Sequence, residues 1–249
     1  MKKIVFILLM FSTIHAYEPS MLSLDIPSYL KTGRGDFNTR HRFLGTINDP
    51  FENLLGSDDG SNVSIEMRYK LTDHIELYGL RISDFMEYNF GVSYNYMFEP
   101  IKLNSQVKLI YFTEKYGTVD ERQNNFFYQL NFARENIWDR LTLVTNLGYD
   151  GYNLRLSTGF GAMLKLSKKY YLLGEVYPLQ DPNEKWTGSY SGFAFGFKYK
   201  TVGHHFAFQL SNVTNIGIRK ASLGSNTKDL FLGFNMQRIL RFKKRKKVK

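Results

Sequence analysis

The sequence predicts an all-β fold: a single transmembrane antiparallel up-and-down β-barrel of about twelve strands. Three observations carry that expectation. In residues 153–166, Leu154, Leu156, Thr158, Phe160, Ala162, Leu164 and Leu166 alternate with Asn153, Arg155, Ser157, Gly159, Gly161, Met163 and Lys165. A period of two marks a strand with one apolar face. The run outlasts the roughly 5–6 residues of an average soluble strand and the about 9–11 that a tilted strand needs to cross a bilayer. Aromatic residues make up 16% of the 249 residues, with 17 Tyr and 21 Phe, while mean hydropathy is negative. That combination suits a wall with one lipid face, one polar face and aromatic girdles. Finally, short and long connections alternate along the chain, as they do between the two ends of such barrels.

Residues 1–16 read as a signal peptide: Lys2 and Lys3, an apolar core from Ile4 to Phe11, then small residues up to Ala16. No later run reaches the about 18 apolar residues of a membrane helix. There is no Cys, so neither a disulfide framework nor a thiolate metal site is available. The net charge of +10 is concentrated at the ends. Lys2 and Lys3 hold two of those charges and residues 241–249 hold seven, which leaves +1 for the body. The tail residues Arg241, Lys243, Lys244, Arg245, Lys246 and Lys247 are read as a solvated basic segment for an envelope or periplasmic partner, not for nucleic acid.

Residues 17–35, with Pro19 and Pro27, are expected as an irregular periplasmic segment, residues 36–242 as the barrel and 243–249 as the tail. The first strand, 36–46, is poorly amphipathic and carries Arg40, His41, Arg42 and Phe43. In the following loop, Asp49 as N-cap, Pro50 in the first turn and Gly56 as stop suggest a short helix. Its Phe51, Leu54 and Leu55 either fold inward as a plug or lie on a surface turn; the residues leave both open. Strand 62–71 sets Val63, Ile65, Met67, Tyr69 and Leu71 against Asn62, Ser64, Glu66, Arg68 and Lys70. Strand 75–82 sets Tyr78, Leu80 and Ile82 outward against Glu76, Gly79 and Arg81. Strands 87–97, 103–112, 126–134 and 141–149 alternate similarly, with Trp138 as an interface anchor in the turn 135–140. After 153–166 come strands 170–177, 189–200, 205–212 and 230–240. The second, fourth, sixth, eighth and tenth connections are all short (72–74, 98–101, 135–140, 167–169, 202–204). Four of the others are long (47–60, 115–125, 178–188, 213–228), and 83–86 and 150–152 are short. A soluble sandwich predicts no such pattern.

Lipid satisfies no backbone N–H or C=O, so a sheet there must close on itself. Lumen-lining candidates are Glu66, Arg68, Arg81, Glu87, Lys108, Arg155, Glu175 and Lys198. Both signs are present, which points to pairing across a narrow or plugged bore; an open selective pore favours one sign.

The segments His41-Arg42-Phe43-Leu44-Gly45, Gly203-His204-His205-Phe206 leading to Gln209-Leu210-Ser211-Asn212, and Leu232-Gly233-Phe234-Asn235 with Arg238 nearby resemble a family of bacterial outer-membrane β-barrel proteins known only as a domain of unknown function. The resemblance covers most of the mature chain. It implies a barrel in the outer membrane of a Gram-negative bacterium and carries no activity with it.

No catalytic, cofactor or metal site is expected. A metal or haem would need His41, His204 and His205 to converge. A lipid hydrolase would need a Ser beside a His with an orienting group, yet His205 and Ser211 on one strand stand roughly 20 Å apart at about 3.3 Å per residue. The expected function is passage or binding of a small solute, with an envelope scaffold or a lipid hydrolase as alternatives.

Overall fold

The computed structural model describes residues 20–27, 30–48, 50–115, 122–180 and 187–242. The signal segment and residues 243–249 of the tail lie outside them. Twelve strands form one closed barrel in sequence order: β1 (Arg34–Thr46), β2 (Ser61–Lys70), β3 (Ile75–Ile82) and β4 (Glu87–Phe98). Then follow β5 (Leu103–Lys115), β6 (Arg122–Ile137), β7 (Leu141–Asp150) and β8 (Arg155–Lys165). The wall ends with β9 (Tyr170–Tyr177), β10 (Gly192–Lys200), β11 (His204–Ser211) and β12 (Phe231–Arg241). Each strand is antiparallel to its neighbour, and β1 closes on β12 from Arg34↔Arg241 to Arg42↔Gly233. No strand edge is left open, as a hydrocarbon environment demands.

The alternation that predicts the wall is present in three dimensions. On β8, Leu156, Phe160, Ala162 and Leu164 are exposed on the outer face, while Arg155, Ser157, Gly159 and Met163 are buried inside. The outer face is otherwise Ile65, Met67, Phe90, Val92, Val107, Leu109, Leu130 and their neighbours. Near the short turns it carries aromatic contacts such as Tyr96–Phe98 and Tyr170–Tyr199, and Trp138 stands exposed at the β6–β7 turn. Exposed side chains of this kind fit a lipid environment and would be anomalous in water.

Two expectations need correction, and one left open is decided. Tyr78, Leu80 and Ile82 point inward, and Arg81 lies exposed on the outside, its guanidinium 6.0 Å from the Tyr88 ring centroid. Pairing with β2 imposes this: Tyr78 is opposite Arg68, Leu80 opposite Glu66 and Ile82 opposite Ser64, and opposed residues share a face. Apolar side chains tolerate the inside because the bore is packed rather than water-filled. Next, the expected loop 115–125 is shorter, since Arg122 to Asn125 continue β6 opposite Lys115 to Phe112. Lastly, Phe51, Leu54 and Leu55 form no plug. Asn53 caps a single 3-10 turn, Leu54–Gly56, and its Oδ1 accepts from the Gly56 N–H at 3.0 Å. Phe51 is 98% exposed and Leu54 67%.

The bore is filled by other parts of the chain. The segment 17–35, expected to stand clear of the barrel, has residues 20–27 buried within it. Met21, Leu22, Leu24 and Ile26 pack in one apolar cluster with Tyr78, Phe112, Phe127 and Tyr177 of the wall. From the loop end, the β11–β12 connection sends in a one-turn helix, α1 (Ile218–Ala221), whose four residues are all buried. Such filling has a geometric reason: about eight strands can be filled by wall side chains alone, and larger barrels leave space.

Candidate functional site: a bore closed by two inserts

Residues 20–25 make a compact knot. The Met21 N–H donates to the Leu24 carbonyl at 2.9 Å, and Ser20 bridges Asp25. The turn directs successive amides outward, and one wall carboxylate collects them. Glu175 Oε1 accepts from the Leu22 and Leu24 N–H groups at 2.7 and 3.1 Å, and Oε2 from the Ser23 N–H at 2.9 Å. Tyr177 also donates its hydroxyl to Oε2. A carboxylate on several backbone amides is a charge-assisted arrangement. Several of the knot's carbonyls are met by donors from other strands of the wall. Arg42 Nη2 and Asn235 Nδ2 donate to the Leu22 carbonyl at 2.9 and 2.8 Å, and Lys198 Nζ donates to the Ser20 carbonyl at 2.9 Å. Asn146 exchanges two 2.8 Å bonds with the backbone of Asp25. Much of the backbone of this buried, irregular segment is thereby hydrogen-bonded, as burial requires.

The Asp25 side chain reaches a charged cluster. Its Oδ1 meets Arg68 Nη2 at 2.5 Å, and its Oδ2 meets Lys108 Nζ at 2.9 Å and Gln129 Nε2 at 3.3 Å. Glu66 bridges Arg68 and Arg40, the latter at 2.7 Å. Tyr78 lies against the pair, with Lys108 Nζ 3.4 Å from its ring centroid. Burial alone would raise the Asp25 carboxyl; Lys108, Arg68 and Arg40 outweigh it and hold the group below the usual carboxylate range.

The second insert meets wall charge of the opposite sign. Arg219 contacts Glu114 at 2.6 Å, Glu87 at 2.9 Å and Asp150 at 3.3 Å, and Lys220 contacts Glu114 and Glu87 at 2.9 and 3.0 Å. Arg155 donates to the Arg219 carbonyl at 3.1 Å, and the Arg219 guanidinium lies 4.0 Å from the Phe112 ring centroid. Burial would lower the Arg219 pKa, but Glu87, Glu114 and Asp150 raise it, so the group is charged at every relevant pH. Between knot and helix is a cavity of about 40 Å³ lined by Asp25, Arg40, Glu66, Gln129, Ile218 and Arg219 among others. At ~10–15 Å³ each it holds about three waters.

Of the lumen candidates, Glu66, Arg68, Glu87, Lys108, Arg155, Glu175 and Lys198 are buried in the bore, and Arg81 is outside. The sequence reading missed Asp25, Glu114, Asp150, Arg219 and Lys220. A signal was present in two places. Residues 20–26 are too apolar for a solvated linker, and Ile216 and Ile218 interrupt a polar loop. The histidines do not converge: His41 stacks on Phe234 on the outer face, 4.5 Å between centroids, while His205 points inward beside Gln237 Oε1 at 3.2 Å. Ser211 donates its hydroxyl to the Phe193 carbonyl at 2.7 Å.

A closed twelve-strand wall, apolar outside and charged inside, defines a membrane-spanning barrel of the outer-membrane type. The chain belongs to the membrane bound beta barrel domain family (DUF5777), which matches residues 22–240 and so takes in most of the knot as well as the wall. No curated protein sequence matches it. Among solved structures, the KdgM porin in complex with disordered oligogalacturonate aligns with a TM-score of 0.53 and 11% identity, over 82% of this chain and 98% of that one. The outer membrane channel from Pseudomonas putida F1 aligns with a TM-score of 0.51 and 12% identity, over 90% and 99%. At these identities the likeness is one of fold.

Proposed function

We propose that this protein is a non-enzymatic channel of a Gram-negative outer membrane that passes a small solute, seen here in a shut state. The observation that carries the reading is how the bore is closed. Its occupants are an irregular segment and a loop, each held by hydrogen bonds and ion pairs to the wall. Such contacts can be exchanged for contacts to water or solute without disturbing the strand ladder, whereas a fixed wall of large side chains could not open. The inner surface thereby uncovered carries both signs of charge beside apolar residues such as Ile110, Phe112 and Phe127.

The test is conductance of the refolded mature chain in planar bilayers beside Glu175→Gln. Glu175 holds three amides of the knot, and hydrogen bonds to a charged group are worth about 1.5–3 kcal/mol each. Rare openings in the parent and an open fraction at least about tenfold higher in the variant are expected. A folded barrel, shown by heat-modifiable gel mobility, with no current in either chain would move the weight to a scaffold role.

A further inference from the structure

Asp25 is the one acidic side chain of residues 20–26, and the wall receives it as a ligand. Its two oxygens are divided between Arg68 of β2 on one side and Lys108 of β5 with Gln129 of β6 on the other. Arg68 and Lys108 lie about the same tyrosine ring, Tyr78, with the Arg68 guanidinium 5.8 Å and the Lys108 ammonium 3.4 Å from its centroid. Around this point the wall supplies three cations, Arg40, Arg68 and Lys108, and two carboxylates, Glu66, which bridges the two arginines, and Asp36, opposite Arg68 in the ladder. The carboxylate that Lys108 contacts is the one the knot brings in. Lys108 is almost wholly buried and Asp25 is the carboxylate it contacts, while Arg68 keeps Glu66; a buried cation deprived of its partner is costly. Departure of the knot therefore calls for another anion at the same place. The small cavity reaches this spot, since Asp25 and Gln129 both line it.

We propose that Arg68, Lys108 and Gln129 form a carboxylate-binding subsite in the bore wall, filled by Asp25 in the shut state and by a small carboxylate solute in competition with it. The divided geometry, one oxygen to a guanidinium and the other to an ammonium and an amide, is made for a carboxylate rather than a spherical anion. That the occupant is a solute in transit rests on the channel reading; the subsite itself does not.

The probe is acetate, which is the Asp25 side chain without its tether. In the full mature chain carrying Asp25→Ala, ¹³C-acetate binding is followed by NMR line broadening and calorimetry in micelles, with chloride holding the ionic strength constant. Saturable one-site binding at least tenfold tighter than in the parent chain, and lost in Asp25→Ala/Lys108→Met, is expected. Asp25→Asn keeps the packing should the alanine chain refold poorly. Its amide competes for the site, so acetate binds it more weakly than the alanine chain but more tightly than the parent. No saturable binding in either variant, binding indifferent to Lys108→Met, or chloride displacing acetate at equal concentration would overturn the subsite. Acetate binding by chains that carry no current would support the subsite and overturn the channel reading alone.

Discussion

Arg68 and Arg81 are alike in composition and opposite in consequence. Arg68 is buried between Asp25 and Glu66; Arg81 lies on the outer face near Tyr88. Breaking a buried pair by removing one partner costs about 3–5 kcal/mol, because the other charge is left uncompensated. Arg68→Gln should therefore lower the urea midpoint of the folded gel form sharply, while Arg81→Gln should stay within about 0.5 kcal/mol of the parent. Equal effects would mean that the register of β3 is not as described. Asp25 adds a pH dependence with a defined sign. Arg68, Lys108, Arg40 and Glu66 surround its carboxylate, with the neutral Gln129 and Tyr78 alongside, and the net effect is a lowered pKa. A lowered carboxyl contributes stability that is complete above its unfolded value of about 3.9 and fades as pH falls through the folded value. Open fraction should thus be flat from pH 8 to about pH 5 and rise only in stronger acid. A rise already between pH 7 and pH 6 would assign the shut state to some other group.

The inserts differ from the strands in what holds them. A strand of the wall is fixed by two ladders; α1 is one turn long and depends on Arg219 and Lys220 meeting Glu87, Glu114 and Asp150. Replacing Arg219 with Gln leaves three carboxylates short of a cation. Limited proteolysis should then cut between residues 212 and 230 at least about tenfold faster, while the barrel core stays intact; an unchanged rate would show that Ile216 and Ile218 hold the loop by packing alone. The same contrast explains what could be read from the sequence. The strands were legible because alternation is a local property: β8 can be recognised from Leu154 to Leu166 without reference to anything else. The face of β3 was not, because Tyr78, Leu80 and Ile82 look lipid-facing until their partners Arg68, Glu66 and Ser64 are known. The inserts were least legible. Their residues carry no period, and their meaning depends on contacts between positions as far apart as Leu22 and Glu175. Glu66, Arg68, Glu87, Lys108, Arg155, Glu175 and Lys198 emerged with the strands, but Glu114 and Asp150, at strand ends, did not, and the groups that answer the wall, Asp25, Arg219 and Lys220, lie in segments read as periplasmic linker and loop.

At the scale of the barrel the charges are zoned. Glu87, Glu114 and Asp150 gather near the loop end, where the insert is cationic. Deeper in, Arg40, Arg42, Arg68, Lys70, Lys108 and Lys198 outnumber Asp36, Glu66, Glu76 and Glu175, and there the insert brings a carboxylate and backbone carbonyls. Each insert thus complements the wall at its own level, and taking one away exposes the potential of that level. Excising residues 20–26 from the full chain removes Asp25 and leaves the deeper zone net positive. Fields in a narrow bore with low-dielectric walls are focused, so the excised chain should carry an anion-selective current, measured as a reversal potential under a KCl gradient. The preference should shrink as salt rises from 0.1 M to 1 M, where the Debye length falls from about 10 Å to 3 Å, and Lys108→Met in the excised chain should diminish it further. Asp25→Ala should shift the reversal potential in the same direction by a smaller amount, since the knot still occupies the bore. A cation-selective current from the excised chain would mean that the acidic loop end, rather than the basic interior, governs what passes.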